Sequence, residues 1–145
     1  LHTGDVAVVD DDGAFYVVDR VCELIHVGDK QVAPCELESV LASCGSVADA
    51  AVVGEPDAEA GEVPVAYVVA REGSLSAGAV RDFVAAKVAA HMRLARVEFV
   101  DAIPRSACGK VLRHRLRQAR AEAEQTLMGV TLMSRATPAD PEAVR

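Results

Sequence analysis

The sequence predicts an α+β fold: a β-hairpin joined to a small, mostly antiparallel sheet flanked by helices. Three observations carry that expectation. Val6–Val9 and Phe15–Val18 flank Asp10-Asp11-Asp12-Gly13, two apolar runs around an Asp-Gly turn signal. Further strand-length apolar runs lie at Val47–Val53, Val63–Val69 and Val97–Val100, interleaved with segments of helical spacing. Finally, 145 residues that are 51% hydrophobic suffice for one core, built of Val, Ala and Leu because aromatics are only 3%.

In chain order, the first hairpin turns at Asp12-Gly13. Pro34 opens a helix at its first turn, where its missing N–H is no loss, and Glu36 and Glu38 suit the positive end of the helix dipole. Leu37, Val40 and Leu41 share one face of it, and Gly45 closes it. Val47–Val53 alternates as a strand. Gly54-Glu55-Pro56-Asp57 and Ala60-Gly61 make the loop to Val63–Val69, whose unbroken apolar character marks a central strand. Ser76 caps a helix with Val80, Phe83, Val84 and Val88 at helical spacing. A last helix is expected from Val111 to about Glu124 with Leu112, Leu116 and Ala119 inward. Thr126–Arg145, with Pro138 and Pro141, reads as a loose tail. One folded unit over 1–120 is thus expected, with 121–145 as helix end and tail.

The formal charge of −7 argues against a broad nucleic-acid or membrane-binding surface. No stretch is long and apolar enough to span a bilayer. Cys22, Cys35, Cys44 and Cys108 form no CxxC pair and no Cys/His metal spacing, so reduced thiols, no metal site and a cytoplasmic location are expected. The chain opens at Leu1, not Met, and directly on a motif, which predicts a piece cut from a longer protein.

The chemistry concentrates at Ile103-Pro104-Arg105-Ser106-Ala107-Cys108-Gly109-Lys110. A phosphate-binding P-loop is excluded, because the glycine it needs five residues before Gly109 is Pro104. What remains is a long cationic side chain beside a flexible glycine at the mouth of an Arg-rich helix, able to bring an ammonium to a negatively charged reaction centre. Arg113, Arg115, Arg117 and Arg120, with His114, read first as a solvated helix face and second as a patch for phosphate groups.

Other motifs precede this one in order: Thr3-Gly4-Asp5, Asp12-Gly13, Asp19-Arg20, Glu23-Leu24-Ile25, Gln31-Val32-Ala33-Pro34 and Glu36-Leu37-Glu38. With Pro104-Arg105 and Gly109-Lys110 downstream, the sequence resembles the C-terminal domain of adenylate-forming enzymes. That superfamily comprises acyl- and aryl-CoA ligases, peptide-synthetase adenylation domains and beetle luciferases. The resemblance covers about His2 to Arg117 and is greatest to the CoA-ligase branch, including coumarate-type and fatty-acyl ligases.

The resemblance implies a mobile catalytic lid of an ATP-dependent CoA ligase, working with an N-terminal domain that binds the ATP phosphates, Mg²⁺ and a small carboxylic acid. The acid is first joined to AMP with release of pyrophosphate, then passed to CoA. Lys110 would be the catalytic cation, Asp5 and Arg20 would contact the ATP or AMP, and His26, Gly28 and Lys30 would line the CoA channel. The hinge between two lid orientations falls at Cys22, where the family usually has Asp or Lys. A second departure is Ile25-His26-Val27-Gly28-Asp29 in place of Ile-Lys-x-x-Gly: a histidine replaces the lysine and the glycine comes one position early. Either Asp29 obstructs the channel, or Gly28 supplies the turn with Asp29 toward solvent and Lys30 toward the CoA phosphates; the second is the expectation. Two rival functions stay open: loading of a carrier-protein thiol, and a non-catalytic module that binds nucleotide or a partner.

Overall fold

The computed structural model describes residues 5–20, 23–71, 73 and 75–135, with the backbone alone for 5–6, 17–20 and 129–135. Strands β1 (Asp5–Val9) and β2 (Phe15–Arg20) form an antiparallel hairpin that stands as its own two-stranded sheet. Its turn is held by Asp10, whose carboxylate accepts the N–H groups of Asp12 and Ala14, and Gly13 takes a φ of 81°. The expected Asp-Gly turn is therefore present, with the Asp10 side chain adding to the backbone bonds from Gly13 N–H to Asp10 O and from Asp10 N–H to Ala14 O.

The second sheet has five strands: β3 (Ile25–Val27), β4 (Lys30–Val32), β5 (Val47–Asp57), β6 (Gly61–Ala70) and β7 (Arg96–Phe99). Strand β6 is central. Strand β5 pairs antiparallel along one edge of it, while β3 at its start and β7 along Val65–Val68 share the other, β7 running parallel. Side chains alternate along β6, so Ala66 and Val68 pack under helices α1 (Pro34–Ala42) and α2 (Ala77–Ala85) with Leu37, Leu41, Val80 and Val84. Val65 and Tyr67 face the other way, onto Ile103 and Leu116 of helix α3 (Arg113–Arg135). Both faces are covered, and that is why the run reads as continuously apolar.

Several boundaries differ from expectation for identifiable reasons. Gly54–Asp57 belongs to β5 and not to a loop: Gly54 pairs with Pro64 and Pro56 with Glu62, leaving only residues 58–60 as the turn. Helix α1 ends at Ala42 because Ser43 turns its N–H and hydroxyl back onto the last carbonyls; Gly45 lies beyond and keeps an ordinary φ. Ser76 does cap α2, accepting the N–H of Ala79 at 3.1 Å, but Val88 packs from beyond the helix end. In α3, Leu116 is buried and Ala119 is exposed. The helix begins at Arg113, and it runs through Thr126 to Arg135 where a loose tail was expected. Glu-rich and Ala-rich turns with an Arg120–Glu124 pair at i,i+4 favour that continuation.

Candidate active site

Lys110 sits on a tight exposed turn between Pro104 and Leu112. The two arms are tied by a β-bridge between Arg105 and Val111 and by Leu112 N–H to Pro104 O at 2.8 Å. Ser106 closes the turn three times over: its N–H donates to Lys110 O (2.8 Å), its carbonyl accepts from Gly109 N–H (2.9 Å), and its hydroxyl accepts from Lys110 N–H (3.2 Å). Gly109, at φ 84°, supplies the left-handed step that an L side chain resists, with nothing crowding its α-carbon. Val111 and Ile103 plug the base of the turn into the core beside Leu116.

The Lys110 ammonium lies 3.4 Å from one oxygen of Glu23, and its side chain is 43% exposed. A pair this exposed is worth at most about 1 kcal/mol, so the ammonium can leave Glu23 for a stronger anion. The second oxygen of Glu23 accepts from Arg113 at 2.8 Å. Arg113 is only 11% exposed; it also donates to Glu38 at 2.7 Å and to Val52 O at 3.0 Å, tying α3 to α1, β5 and the segment before β3. The Cys108 thiol is exposed, and the Ser106 hydroxyl 3.0 Å away holds its pKa below the usual thiol value, with the Lys110 N–H adding to the effect.

The other arginines of α3 are neither a plain solvated face nor an open phosphate patch. Arg113 is internal, Arg117 donates to Gly54 O, and Arg120 pairs with Glu55, Glu98 and Glu124. His114, Arg115 and Arg117 are the exposed members. Across β5 and β7, Glu55 also accepts from Arg96 and from the Tyr67 hydroxyl, and burial beside Glu55 pushes the Tyr67 pKa well up.

The remaining candidates fall elsewhere. Asp5 and Arg20 are register partners at one end of the first hairpin, which brings the two residues together by backbone pairing. Cys22 lies outside the described residues. The segment His26–Lys30 is a hairpin of β3 and β4 with Gly28-Asp29 as its two-residue turn, a strand pairing not foreseen from the sequence. Gly28 has φ 61°, and its N–H donates to Ala60 O at 2.7 Å, while Asp29 and Lys30 are exposed. The register separates two of the assigned residues. His26 pairs with Gln31 on one face, whereas Lys30 pairs with Val27 on the face of Ile25 and Val32. Glu23, Glu38, Asp49 and Arg105 were not singled out as site residues; their partners lie 90, 75 and 56 positions away, beyond the reach of local spacing.

Among the described residues no group of three or more His, Cys, Asp or Glu could hold a metal, and no helix is long and apolar enough to cross a membrane.

The sequence profile described as AMP-binding enzyme C-terminal domain matches residues 36–110, from α1 through to Lys110. The chain belongs to this family. A 4-coumarate–CoA ligase-like protein of Oryza sativa subsp. japonica is 53% identical over 118 residues, which is 81% of this chain and 21% of that protein. A 4-coumarate–CoA ligase of Pinus taeda is 51% identical over 117 residues, with 81% and 22% covered. Among solved structures, the o-succinylbenzoate CoA synthetase of Bacillus subtilis, in complex with its acyl-adenylate intermediate, superposes with a TM-score of 0.73 at 40% identity. That match covers 80% of this chain and 24% of the synthetase. The family member described here thus spans about a fifth of the length of the curated relatives it matches.

Proposed function

We propose that this family member acts as the mobile C-terminal part of an AMP-forming acyl- or aryl-CoA ligase. The observation that carries the reading is Lys110: a solvent-facing ammonium on a turn whose backbone is fixed at both ends, paired to nothing stronger than Glu23. The relatives named as CoA ligases, and a neighbour named as a CoA synthetase, support this branch over carrier-protein loading.

Adenylation joins a carboxylate to the α-phosphate of ATP and expels pyrophosphate, so negative charge gathers on entering and leaving oxygens alike. A lysine already oriented and only loosely paired can move to that charge without reorganising its backbone, and such preorganised donors are worth several kcal/mol in a water-poor site. Asp5 and Arg20, register partners in the first hairpin, would meet the ribose and phosphate side of the nucleotide. A rotation near Cys22 would then replace the Lys110 turn by the β3–β4 hairpin, whose Gly28 tip lets a thiol ligand pass close to the backbone and whose Lys30 offers a cation to CoA phosphates. ATP, Mg²⁺ and the carboxylic acid would be held mainly by the larger N-terminal domain, in a cytoplasmic enzyme.

The test is acid-dependent pyrophosphate release and acyl-CoA formation by the full-length ligase across a panel of aliphatic and aromatic carboxylic acids. Turnover is expected with at least one acid and none with the 145-residue chain alone. Pyrophosphate release by the isolated chain, or a full-length protein inert to every acid while still binding ATP, would overturn the reading.

A further inference from the structure

We propose that Arg105 and Asp49 form a clamp that positions Lys110, a role that rests on the proposed reading of Lys110 as the adenylation cation. The hydrogen bonds donated by the backbone of the Lys110 turn are internal to it: Ser106 with Gly109 and Lys110, Pro104 with Leu112. Such bonds set the shape of a turn but not where it sits on the sheet. Its tip is exposed, and Gly109 next to Lys110 is the residue with the widest backbone freedom. Something must reference the tip to the sheet if the ammonium is to arrive in one place.

Arg105 does this with three donors of one guanidinium. Its Nη2 meets Asp49 Oδ1 at 2.7 Å and its Nε meets Asp49 Oδ2 at 3.4 Å, the fork-to-fork geometry of a bidentate pair. Its Nη1 donates to Gly109 O at 3.0 Å, the carbonyl of the peptide bond that leads into Lys110. Asp49 is itself fixed, since its Oδ1 also accepts the N–H of Ala50 at 2.9 Å within β5. The chain of contacts runs from the longest strand through one carboxylate and one planar cation to the backbone of Lys110. A lysine at 105 could satisfy Asp49 but could not hold the carboxylate and the carbonyl in one fixed plane. Because this pair is exposed, it contributes little to global stability, and its consequence is local order at the tip.

Two measurements test this. In the 145-residue chain, Arg105→Ala is expected to lower hydrogen-exchange protection and ¹⁵N order parameters at Gly109 and Lys110, with β5, β6 and the thermal midpoint unchanged. Arg105→Lys should recover part of the order. Should Arg105→Ala depress the midpoint, Asp49→Asn repeats the measurement while keeping the side-chain size. Unchanged order at both tip residues in either variant overturns the clamp. In the full-length ligase, Arg105→Ala should slow adenylation about 10-fold and leave thioester formation from preformed acyl-adenylate alone. The same change should cost nothing further in a Lys110→Ala background, because the clamp acts only through that lysine. A full additional loss there means Arg105 works independently of Lys110, and the inference fails. If Lys110→Ala itself leaves adenylation intact, the proposed function fails, while the order measurements still judge the clamp by themselves.

Discussion

The Lys110 turn and the Gly28-Asp29 hairpin are both exposed tips with a glycine at positive φ, yet they are held in different ways. The hairpin is a backbone construction: Ile25, His26 and Val27 pair with Val32, Gln31 and Lys30, and the Gly28 N–H is anchored on Ala60 O. Buried Ile25 and Val32 fix its base. The Lys110 turn also has an apolar base, at Ile103 and Val111, but its tip is held through charged side chains, Arg105 to Asp49 on the sheet and Glu23 to both Lys110 and Arg113. A backbone-held turn tolerates changes of side chain that a side-chain-held turn does not. That difference ranks what substitutions at the two tips should do.

The largest effect belongs to Lys110→Ala. In the full-length ligase it should slow adenylation by about 100-fold or more, while thioester formation from preformed acyl-adenylate stays close to normal. Equal losses in the two half-reactions would assign Lys110 a folding role and dissolve the contrast.

Next comes Arg113→Ala, read as stability. Arg113 is the cation between two half-buried carboxylates, Glu23 and Glu38, and it satisfies Val52 O as well. Removing it should cost on the order of 2–4 kcal/mol, visible as a lower denaturant midpoint, because Glu38 loses its cation, Val52 O loses a donor, and Glu23 keeps only the exposed contact with Lys110. A variant of unchanged stability would mean that these contacts are screened surface pairs, and Arg113 would return to the candidates for binding phosphate.

At the hairpin the expectation is smaller and confined to one substrate. Lys30→Ala should raise the KM for CoA several-fold, and Asp29→Gly should change little, since Gly28 already provides the turn and Asp29 faces solvent. A clear gain in thioester formation from Asp29→Gly would instead mark Asp29 as an obstruction. Because the register places His26 on the opposite face from Lys30, His26→Ala and Lys30→Ala should not both raise that KM.

The same contrast explains what could be read from the sequence. The α+β class, the first hairpin, the Pro34 helix start, the Ser76 cap and central β6 were all legible, because each is written in a local signal: a turn dipeptide, a capping side chain, an apolar period. The Gly109-Lys110 turn itself was marked by a local signal, a glycine beside a Pro-bounded loop. Glu23, Glu38, Asp49 and Arg105 were not, because each matters through a partner brought close only by the sheet. The Gly54–Asp57 error has the same origin. Glycine and proline are punctuation in isolation, but here long pairing with β6 carries β5 through them. The length of α3 was missed because Pro138 and Pro141 suggested a tail that begins too early.

The smallest effect concerns the footing of the hairpin and depends on pH. Asp57 accepts the N–H groups of Glu59 and Ala60, both at 2.9 Å, and these bonds hold its pKa below the ordinary 3.8. A carboxyl with a lowered folded pKa binds protons more readily when unfolded. Its contribution is therefore complete above 3.8 and is lost as the pH falls through the lower folded value. Asp57 is fully exposed, so the change in global stability should be slight. The local consequence is more specific, because Ala60 O is where the Gly28 N–H is anchored. Acidification below the carboxylate range should reduce hydrogen-exchange protection at Gly28 before it reaches β5 and β6. The Lys110 turn, which has no contact with this loop among its hydrogen bonds, should not follow it. Asp57→Ala should abolish the pH dependence at Gly28, leaving protection low at every pH. If Gly28 responds to acid identically in the two proteins, the hairpin does not stand on the Asp57 turn, and β3–β4 pairing alone holds it.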